Sequence, residues 1–298
     1  MPPDVVCVTP YANDLGESLY WDAASGVLYW IDAWKAVVHA LVPATGEMRQ
    51  TDFAVSLGGR PIGSVACCNG GGMISGVKGG FYWLDLERGE ARLAVEVEAD
   101  RPAANRLNDG KCDRAGRFWC ASINTGHHDA TGALWRLDPA HDARLMADGL
   151  IAGNGIAWSP DCRTMYLADT LAGTVWRYDF DVATGEIANR RSFISTDPAD
   201  GAPDGATVDA DGCYWSALFR GGAVAQFDAD GKMMRRVALP VANPTMCAFG
   251  GPDLDILYVT SASRFLDKTQ LRAQPLAGRL FAIHGLGTRG LPEPKFNA

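Results

Sequence analysis

The sequence predicts an all-β fold, a six-bladed β-propeller with four-stranded antiparallel blades, as a single domain over residues 1–298. Two observations lead to this prediction. One phrase recurs six times: a few apolar residues, a turn with Pro, Gly or Asp, an aromatic-rich run, and a second run that ends near Asp and a Gly turn. The runs are too short for helices, and no long pattern with a period of 3.6 residues competes with them.

The six copies follow one another without a linker. They occupy residues 17–47, 62–90, 108–123 with 132–140, 154–186, 204–231, and 244–263 with 278–283. Each contains strand-like runs such as VLYWID, RFWCAS or TMYLAD, bounded by turn dipeptides such as SG, PD or DG. Successive copies start 41 to 50 residues apart, which is the spacing of propeller blades. A tandem pair of β-sandwiches is the alternative, but it would not require six equivalent phrases. The polar stretch 264–278 interrupts the sixth copy and is predicted to be a loop with a helical turn.

Composition narrows the classes of protein. Hydrophobic residues make up 47% and charged residues 21%, as in a globular protein with a sizeable core. The net charge of −8 argues against a nucleic-acid-binding surface. The first residues lack the pattern of a secretory signal, and no run of 18 apolar residues could span a membrane. The eight cysteines include no C-x-x-C pair and suggest reduced thiols. We therefore expect a cytoplasmic protein, monomeric or weakly homo-oligomeric, without nucleic-acid or membrane partners.

Polar side chains recur at one phase of the repeat. The innermost strand of every blade lines the propeller axis, so equivalent positions at its start should form a ring. The ring positions are Glu17, Gly63, Asn108, Asn154, Asp204 and Thr245. Converging carboxylates repel one another unless a cation lies between them. Carboxylate and amide oxygens suit Ca²⁺, Mg²⁺ or Mn²⁺, and Zn²⁺ could also bind, whereas a closed structural zinc site would need His or Cys.

The same residues have a second interpretation. Asn-Gly at 154–155 and Asp-Gly at 109–110 and 204–205 are common turn formers. Taken singly, each favours a turn over a ligand. Their shared phase, together with Glu17, which is not a turn former, favours the ring.

Several phrases identify a family. They are LGE at 15–17, RLNDGKCDRAGRFW at 106–119, NGIAWSPDCRTMYLADT at 154–170, PDGATVDADGCYWSA at 203–217 and FGGPD at 249–253. In this order and spacing the chain resembles the gluconolactonase/regucalcin (senescence marker protein) family of sugar lactonases, and most of all its bacterial aldonolactonases. The resemblance implies a six-bladed propeller in which residues 4–9 complete the last blade beside GRLFAI.

The resemblance also implies a site. The family's single divalent metal ion, which could be Ca²⁺, Zn²⁺, Mn²⁺, Mg²⁺ or Fe²⁺, would be held by Glu17, Asn154 and Asp204. The family's substrate-binding residues would be Arg106 and Asn108. In animal members an acidic residue that contacts the sugar follows the second strand of the third blade; here Asn124, Thr125 and Gly126 occupy that neighbourhood, so the substrate preference of animal members does not carry over.

The resemblance, together with these residues, implies a reaction. Our hypothesis is metal-dependent hydrolysis of an aldono-1,4- or 1,5-lactone to the aldonic acid, with the metal polarising the carbonyl group. Asp204 would be the general base, and a metal-bound hydroxide is the alternative. Another propeller ester or organophosphate hydrolase, or a calcium-binding propeller without catalysis, remains open. His127 and His128 suit either a solvated loop or a substrate contact at the mouth. The segment 285–290 matches G-x-G-x-x-G but is predicted to be a loop.

Overall fold

Six four-stranded antiparallel sheets coincide with the six sequence repeats. The computed structural model describes residues 2–298. The first three blades comprise β2 (Gly16–Asp22), β3 (Val27–Asp32), β4 (Val37–Val42) and β5 (Glu47–Asp52); β6 (Ile62–Cys67), β7 (Met73–Val77), β8 (Gly80–Asp85) and β9 (Glu90–Glu96); and β10 (Asn105–Cys112), β11 (Phe118–Asn124), β12 (Gly132–Leu137) and β13 (Ala143–Leu150). The last three comprise β14 (Gly153–Trp158), β15 (Thr164–Asp169), β16 (Thr174–Asp181) and β17 (Glu186–Ser195); β18 (Ala202–Val208), β19 (Tyr214–Phe219), β20 (Ala223–Phe227) and β21 (Met233–Ala238); and β22 (Pro244–Gly250), β23 (Ile256–Ser261), β24 (Phe281–His284) and β1 (Asp4–Cys7).

The sixth blade joins both ends of the chain. Strand β1 pairs with β24 in antiparallel register, from Asp4 opposite His284 to Cys7 opposite Phe281. The expectation that residues 4–9 would complete this blade is therefore confirmed over the span of β1. The pairing closes the ring of sheets, so the predicted six-bladed propeller is also confirmed.

The first strand of each repeat is the innermost strand of its blade. The six inner strands β2, β6, β10, β14, β18 and β22 each contact the next one, and β22 contacts β2. They enclose the central axis, and apolar side chains fill the space between adjacent blades. Between the third and fourth blades, Trp119 packs edge-on against Trp158 and Phe180, with ring centroids 6.0 and 5.9 Å away. Burying a side chain of this kind stabilises the fold by about 1.5–3 kcal/mol.

The polar insertion in the sixth repeat contains the helix α1 (Lys268–Ala273), as expected. Its N-cap is Asp267, whose carboxylate accepts hydrogen bonds from the backbone N–H groups of Thr269 and Gln270, while the Gln270 side chain accepts one from the Asp267 backbone. This capping box holds a helix that buries none of its residues. Among residues 2–298, no helix has the length and apolarity that crossing a membrane requires. All eight cysteines are free.

Candidate active site

The predicted ring positions all lie near the start of an innermost strand. Glu17 lies in β2, Gly63 in β6, Asn108 in β10, Asn154 in β14, Asp204 in β18 and Thr245 in β22. Between the third and fourth blades, a hydrogen bond aligns two of these starts. Asn108 Nδ2 donates to the Gly153 carbonyl oxygen at 3.0 Å. The ring therefore surrounds the axis at one end of the propeller.

A β-bulge follows the ring position, or includes it, in every blade. The register between the first and second strands shifts between Glu17 and Tyr20, Ile62 and Ser64, Leu107 and Gly110, Asn154 and Ala157, Pro203 and Ala206, and Pro244 and Cys247. A bulge redirects side chains and ends regular pairing, which is why bulges are common beside active sites. The Asn-Gly and Asp-Gly pairs lie in these bulges within strands, so the interpretation of them as turns is wrong.

Two glycines explain how the ring packs. A Cβ atom on Gly63 would come within 2.6 Å of the Asn108 carbonyl oxygen, so the second blade contributes backbone alone. Gly155 has a φ of 56°, and a Cβ atom there would lie 2.8 Å from the Asp204 carbonyl oxygen. A side chain at either position would push neighbouring blades apart.

Three acidic side chains meet at this end of the axis. Burial, and then repulsion from Asp204 and Asp109, raise the pKa of Glu17 well above its ordinary value, although Arg106 acts in the opposite direction. Burial and the charge of Asp109 likewise raise the pKa of Asp204 well above the ordinary value. Burial is also the main cause of the raised pKa of Asp109. A divalent cation would relieve this repulsion by neutralising the charge.

The atoms left without protein partners suit such a cation. Asp204 Oδ1 is buried and accepts no hydrogen bond from residues 2–298. Asn154 Nδ2 donates to Thr170 Oγ1 at 3.0 Å, which leaves the amide oxygen as the group that could bind a metal. No three or more His, Cys, Asp or Glu side chains in the described chain are arranged to hold a metal ion. A site here therefore needs the Asn154 carboxamide beside Glu17 and Asp204, and this oxygen-only set fits a hard divalent cation.

The two predicted substrate-binding residues belong to β10. Arg106 is buried at the ring, and burial lowers its pKa to about 10 while the charge of Glu17 acts against this. Its Nη1 donates to the Leu107 carbonyl oxygen at 3.1 Å, and its Nε is a buried donor without a partner in residues 2–298. The guanidinium lies 5.6 Å from the centre of the Trp34 ring. Arg106 thus has donors available to a ligand beside Glu17.

The histidine pair lies in an exposed loop. His127 and His128 are in the connection from β11 to β12, at the same end of the propeller as the ring. Asn124 is engaged within this loop, because its Nδ2 donates to Thr131 Oγ1 at 2.9 Å and its Oδ1 accepts from the Gly126 N–H at 2.8 Å. No described contact links either histidine to the ring.

Three further acidic residues shape the site, and sequence reasoning missed the role of the first of them, Asp109. Asp109 reads as a turn former, yet its carboxylate accepts a hydrogen bond from the Ile156 N–H at 3.0 Å across the blade boundary. Asp32 ends β3 and Asp169 ends β15, and each binds the segment that leads into an inner strand. The Asp32 carboxylate accepts a hydrogen bond from the Asp14 N–H at 2.9 Å, and the Asp169 carboxylate accepts one from the Ile151 N–H at 2.9 Å. The recurrence of Asp at the end of the second strand predicts the backbone contacts of Asp32 and Asp169, but it does not apply to Asp109 in β10.

Comparison with known proteins agrees with this architecture. The model of the SMP-30/Gluconolactonase/LRE-like region matches residues 15–263. Regucalcin from Xenopus laevis is 34% identical over 298 residues, 98% of each chain. A 6-deoxy-6-sulfogluconolactonase from Pseudomonas putida is 35% identical over 299 residues, 97% of each chain. The crystal structure of regucalcin from Agrobacterium tumefaciens, described as a calcium-binding protein, has a TM-score of 0.92 at 27% identity, covering 100% of this chain and 98% of the other. The chain belongs to the SMP-30/gluconolactonase/LRE-like family, which includes enzymes named for lactone hydrolysis.

Proposed function

We propose that this protein hydrolyses a sugar lactone at the ring, with one divalent metal ion held by Glu17, Asn154 and Asp204. The observation that carries the proposal is the buried, unpartnered Asp204 Oδ1 beside Glu17, with the unpartnered Arg106 Nε at the same end of the axis. The family match supports lactone hydrolysis as the reaction class. The metal, whichever of Ca²⁺, Zn²⁺, Mn²⁺, Mg²⁺ or Fe²⁺ it is, would polarise the lactone carbonyl when bound.

The side chains would divide the remaining tasks. Asp204 would take a proton from the attacking water through Oδ1, which no group of residues 2–298 occupies. Arg106 donates hydrogen bonds to oxygens of the sugar and later to the carboxylate of the product. Asn108 is anchored through its Nδ2 and offers its amide oxygen to a substrate hydroxyl group. The buried position of all three limits competing contacts with bulk water.

Calcium binding without catalysis is the second candidate, and the description of the Agrobacterium regucalcin as a calcium-binding protein favours it. The same three oxygen donors would serve both functions. Arg106 distinguishes lactone hydrolysis from calcium binding, because a cation site gains nothing from a buried guanidinium next to its ligands. An ester or organophosphate hydrolase remains a third assignment for the same donors.

The first experiment measures hydrolysis of pentono- and hexonolactones with a pH indicator, using protein stripped by a chelator and protein refilled with each metal. Restored turnover of one or a few lactones would support the proposal and identify both substrate and metal. Folded protein that hydrolyses no lactone with any metal would overturn it. The Asp204→Asn variant should lose about 10²–10⁴-fold in turnover. Metal content measured in parallel separates the role of Asp204 as base from its role as ligand.

A further inference from the structure

A series of arginine and aromatic side chains, here called the rim, lies at the same end of the propeller as the ring of polar residues. The series is Arg220, Phe219, Phe265, Arg264, Trp34 and Arg106. The Arg220 guanidinium lies 5.7 Å from the Phe219 ring, and the rings of Phe219 and Phe265 meet edge to face at 5.9 Å. Arg264 lies 5.9 Å from Phe265 and 4.5 Å from Trp34. Arg106, which lies 5.6 Å from the same indole ring, connects this rim to the ring of polar side chains.

The rim and the ring are at the same end because of the strand register. Phe219 ends β19 opposite Ala202 at the start of β18, and Ser261 ends β23 opposite Pro244 at the start of β22. Trp34 and Arg264 occupy the connections that follow β3 and β23. The Arg264 guanidinium lies against these aromatic rings, and a guanidinium can bind an oxyanion through two hydrogen bonds.

The positive charges of this rim are not neutralised. Within residues 2–298, no carboxylate lies within 4.0 Å of the charged groups of Arg220 or Arg264. The acidic side chain of Asp14 is close in the fold, since its carbonyl oxygen accepts a hydrogen bond from Arg264 N at 2.9 Å. Its carboxylate, however, pairs with Lys35 at 3.3 Å. Arg264 is therefore an exposed cation that contacts Trp34 and Phe265 and has no carboxylate partner within residues 2–298.

We propose that Arg264 selects sugar lactones that carry an anionic group, a carboxylate or a sulfonate, at the end remote from the lactone carbonyl. This inference rests on the proposed function. Arg106 and Arg264 contact one indole ring and are thus at most about 10 Å apart, so one small sugar can touch both. The carbonyl end would lie at the ring and the anionic end at the rim. A neutral sugar would leave Arg264 without a partner.

The test compares substrates that differ in one charge. Glucono-1,4-lactone is neutral, glucaro-1,4-lactone carries a carboxylate, and 6-deoxy-6-sulfoglucono-1,4-lactone carries a sulfonate. For the native protein, we expect kcat/KM to be about tenfold higher for the charged lactones, mainly through KM, which is the effect of one charge-assisted hydrogen bond. Arg264→Gln should abolish this preference by lowering kcat/KM for the charged lactones to the value for the neutral lactone. Arg272→Gln, in the exposed helix α1 of the same insertion, should keep the preference.

The outcomes separate this inference from the proposed function. Hydrolysis of all three lactones without a preference, or an equal loss on all of them in Arg264→Gln, would overturn the role of Arg264 and leave the lactonase assignment intact. If no lactone is hydrolysed, the proposed lactonase function fails. Calorimetric measurement of how the product acids bind then still tests whether Arg264 selects an anionic group. Tighter binding of 6-deoxy-6-sulfogluconate than gluconate, lost in Arg264→Gln, supports anion selection, and equal binding contradicts it. The better-bound charged lactone shows whether carboxylate or sulfonate is preferred.

Discussion

Asp109 shows how one residue can support a site without binding the ligand itself. Its carboxylate accepts a hydrogen bond from the N–H of Ile156, in the bulge that directly follows Asn154. It thus fixes the backbone that presents a proposed metal ligand from the next blade. Its negative charge also raises the pKa of Glu17 and of Asp204. In the metal-free protein this repulsion opposes folding, and a bound cation would remove it.

Metal affinity should rise with pH. Glu17 and Asp204 have folded-state pKa values above their ordinary values of 4.5 and 3.8, so the folded metal-free protein binds protons more tightly than the unfolded chain does. These groups stabilise the fold most below the ordinary values, and that contribution is lost as the pH rises through the raised values. A metal ion must displace the same protons. Calorimetry of metal binding in buffers of different ionisation enthalpy should therefore detect proton release. A metal affinity that stays constant as the pH rises from the ordinary to the raised pKa values of these two groups would contradict the prediction.

The Asp109→Asn variant tests the cause of this pH dependence. Asparagine keeps an oxygen that can accept the hydrogen bond from Ile156 N but removes the charge. The pKa values of Glu17 and Asp204 should fall, so the rise in metal affinity should move to lower pH. A curve identical to that of the native protein would show that Asp109 acts only through the backbone.

At the residue scale, the repeat predicted where residues at equivalent positions lie, whereas the role of Glu17, Asn154 and Asp204 as metal ligands stays a prediction. Glu17, Asn154 and Asp204 occupy equivalent places in three blades, and blade geometry brings equivalent places together. Arg264 and Trp34 lack such a phase. Their contact depends on how an insertion in the sixth blade packs against a turn in the first, which spacing along the chain does not determine.

At the scale of elements, one motif stabilises the third and fifth blades. Asp113 and Asp209 each precede a tryptophan by six residues, with a glycine midway, and each is fully buried. Both carboxylates accept a hydrogen bond from that tryptophan's Nε1 at 2.8 Å. Asp209 also accepts hydrogen bonds from the backbone N–H groups of the turn between β18 and β19. The side chain therefore joins a tight turn to the core of the blade.

Removing this carboxylate should destabilise the protein. In Asp209→Ala, the indole N–H of Trp215 and the backbone N–H of Cys213 lose their acceptor, and leaving buried donors unsatisfied costs about 1–3 kcal/mol each. We expect the free energy of unfolding to fall by about 2–4 kcal/mol in a urea titration. Asp228→Ala is the control, since Asp228 accepts the same kind of turn hydrogen bonds but is only partly buried. Equal losses in both variants would mean that the bond to Trp215 contributes nothing.

At the scale of the whole molecule, the six-fold repeat was sufficient to predict the number of blades and their strand composition. The packing of the C-terminal tail, residues 286–298, could not be predicted, because the tail has no counterpart in the repeats. The segment 285–290 is irregular, as predicted, but beyond it the chain crosses the end of the propeller opposite the ring. Gly290 forms a bridge with Asp209, and Phe296 forms one with Cys68 and is fully buried.

An ion pair on the propeller axis anchors this tail. Lys111 Nζ lies 3.0 Å from Glu293 Oε1, and each side chain is only 9% exposed. The same ammonium group donates to the Ala206 carbonyl oxygen at 3.1 Å, and Tyr20 Oη donates to the Pro294 carbonyl oxygen at 3.2 Å. The tail therefore connects the first, third and fifth blades at the floor of the axis. A charge buried so deeply is tolerated only because it is paired.

Breaking that pair should loosen the ring of blades without disturbing the proposed site at the other end. In Glu293→Gln, Lys111 keeps its charge but loses its carboxylate, and we expect a loss of about 2–4 kcal/mol in the free energy of unfolding. Adding Lys111→Met should recover most of this loss, because the double variant buries no unpaired charge. Lys295→Gln removes the more exposed pair with Asp22 on the same tail and should cost less than about 1 kcal/mol. Metal affinity should be unchanged in Lys295→Gln and should move only slightly in the two variants of the Lys111–Glu293 pair, whose charges act in opposite directions on the pKa of Asp109. If Glu293→Gln weakens metal binding as much as it destabilises the fold, then the tail and the ring are coupled through the inner strands. The element that joins them is then β10, which contributes Arg106 near its start and Lys111 near its end.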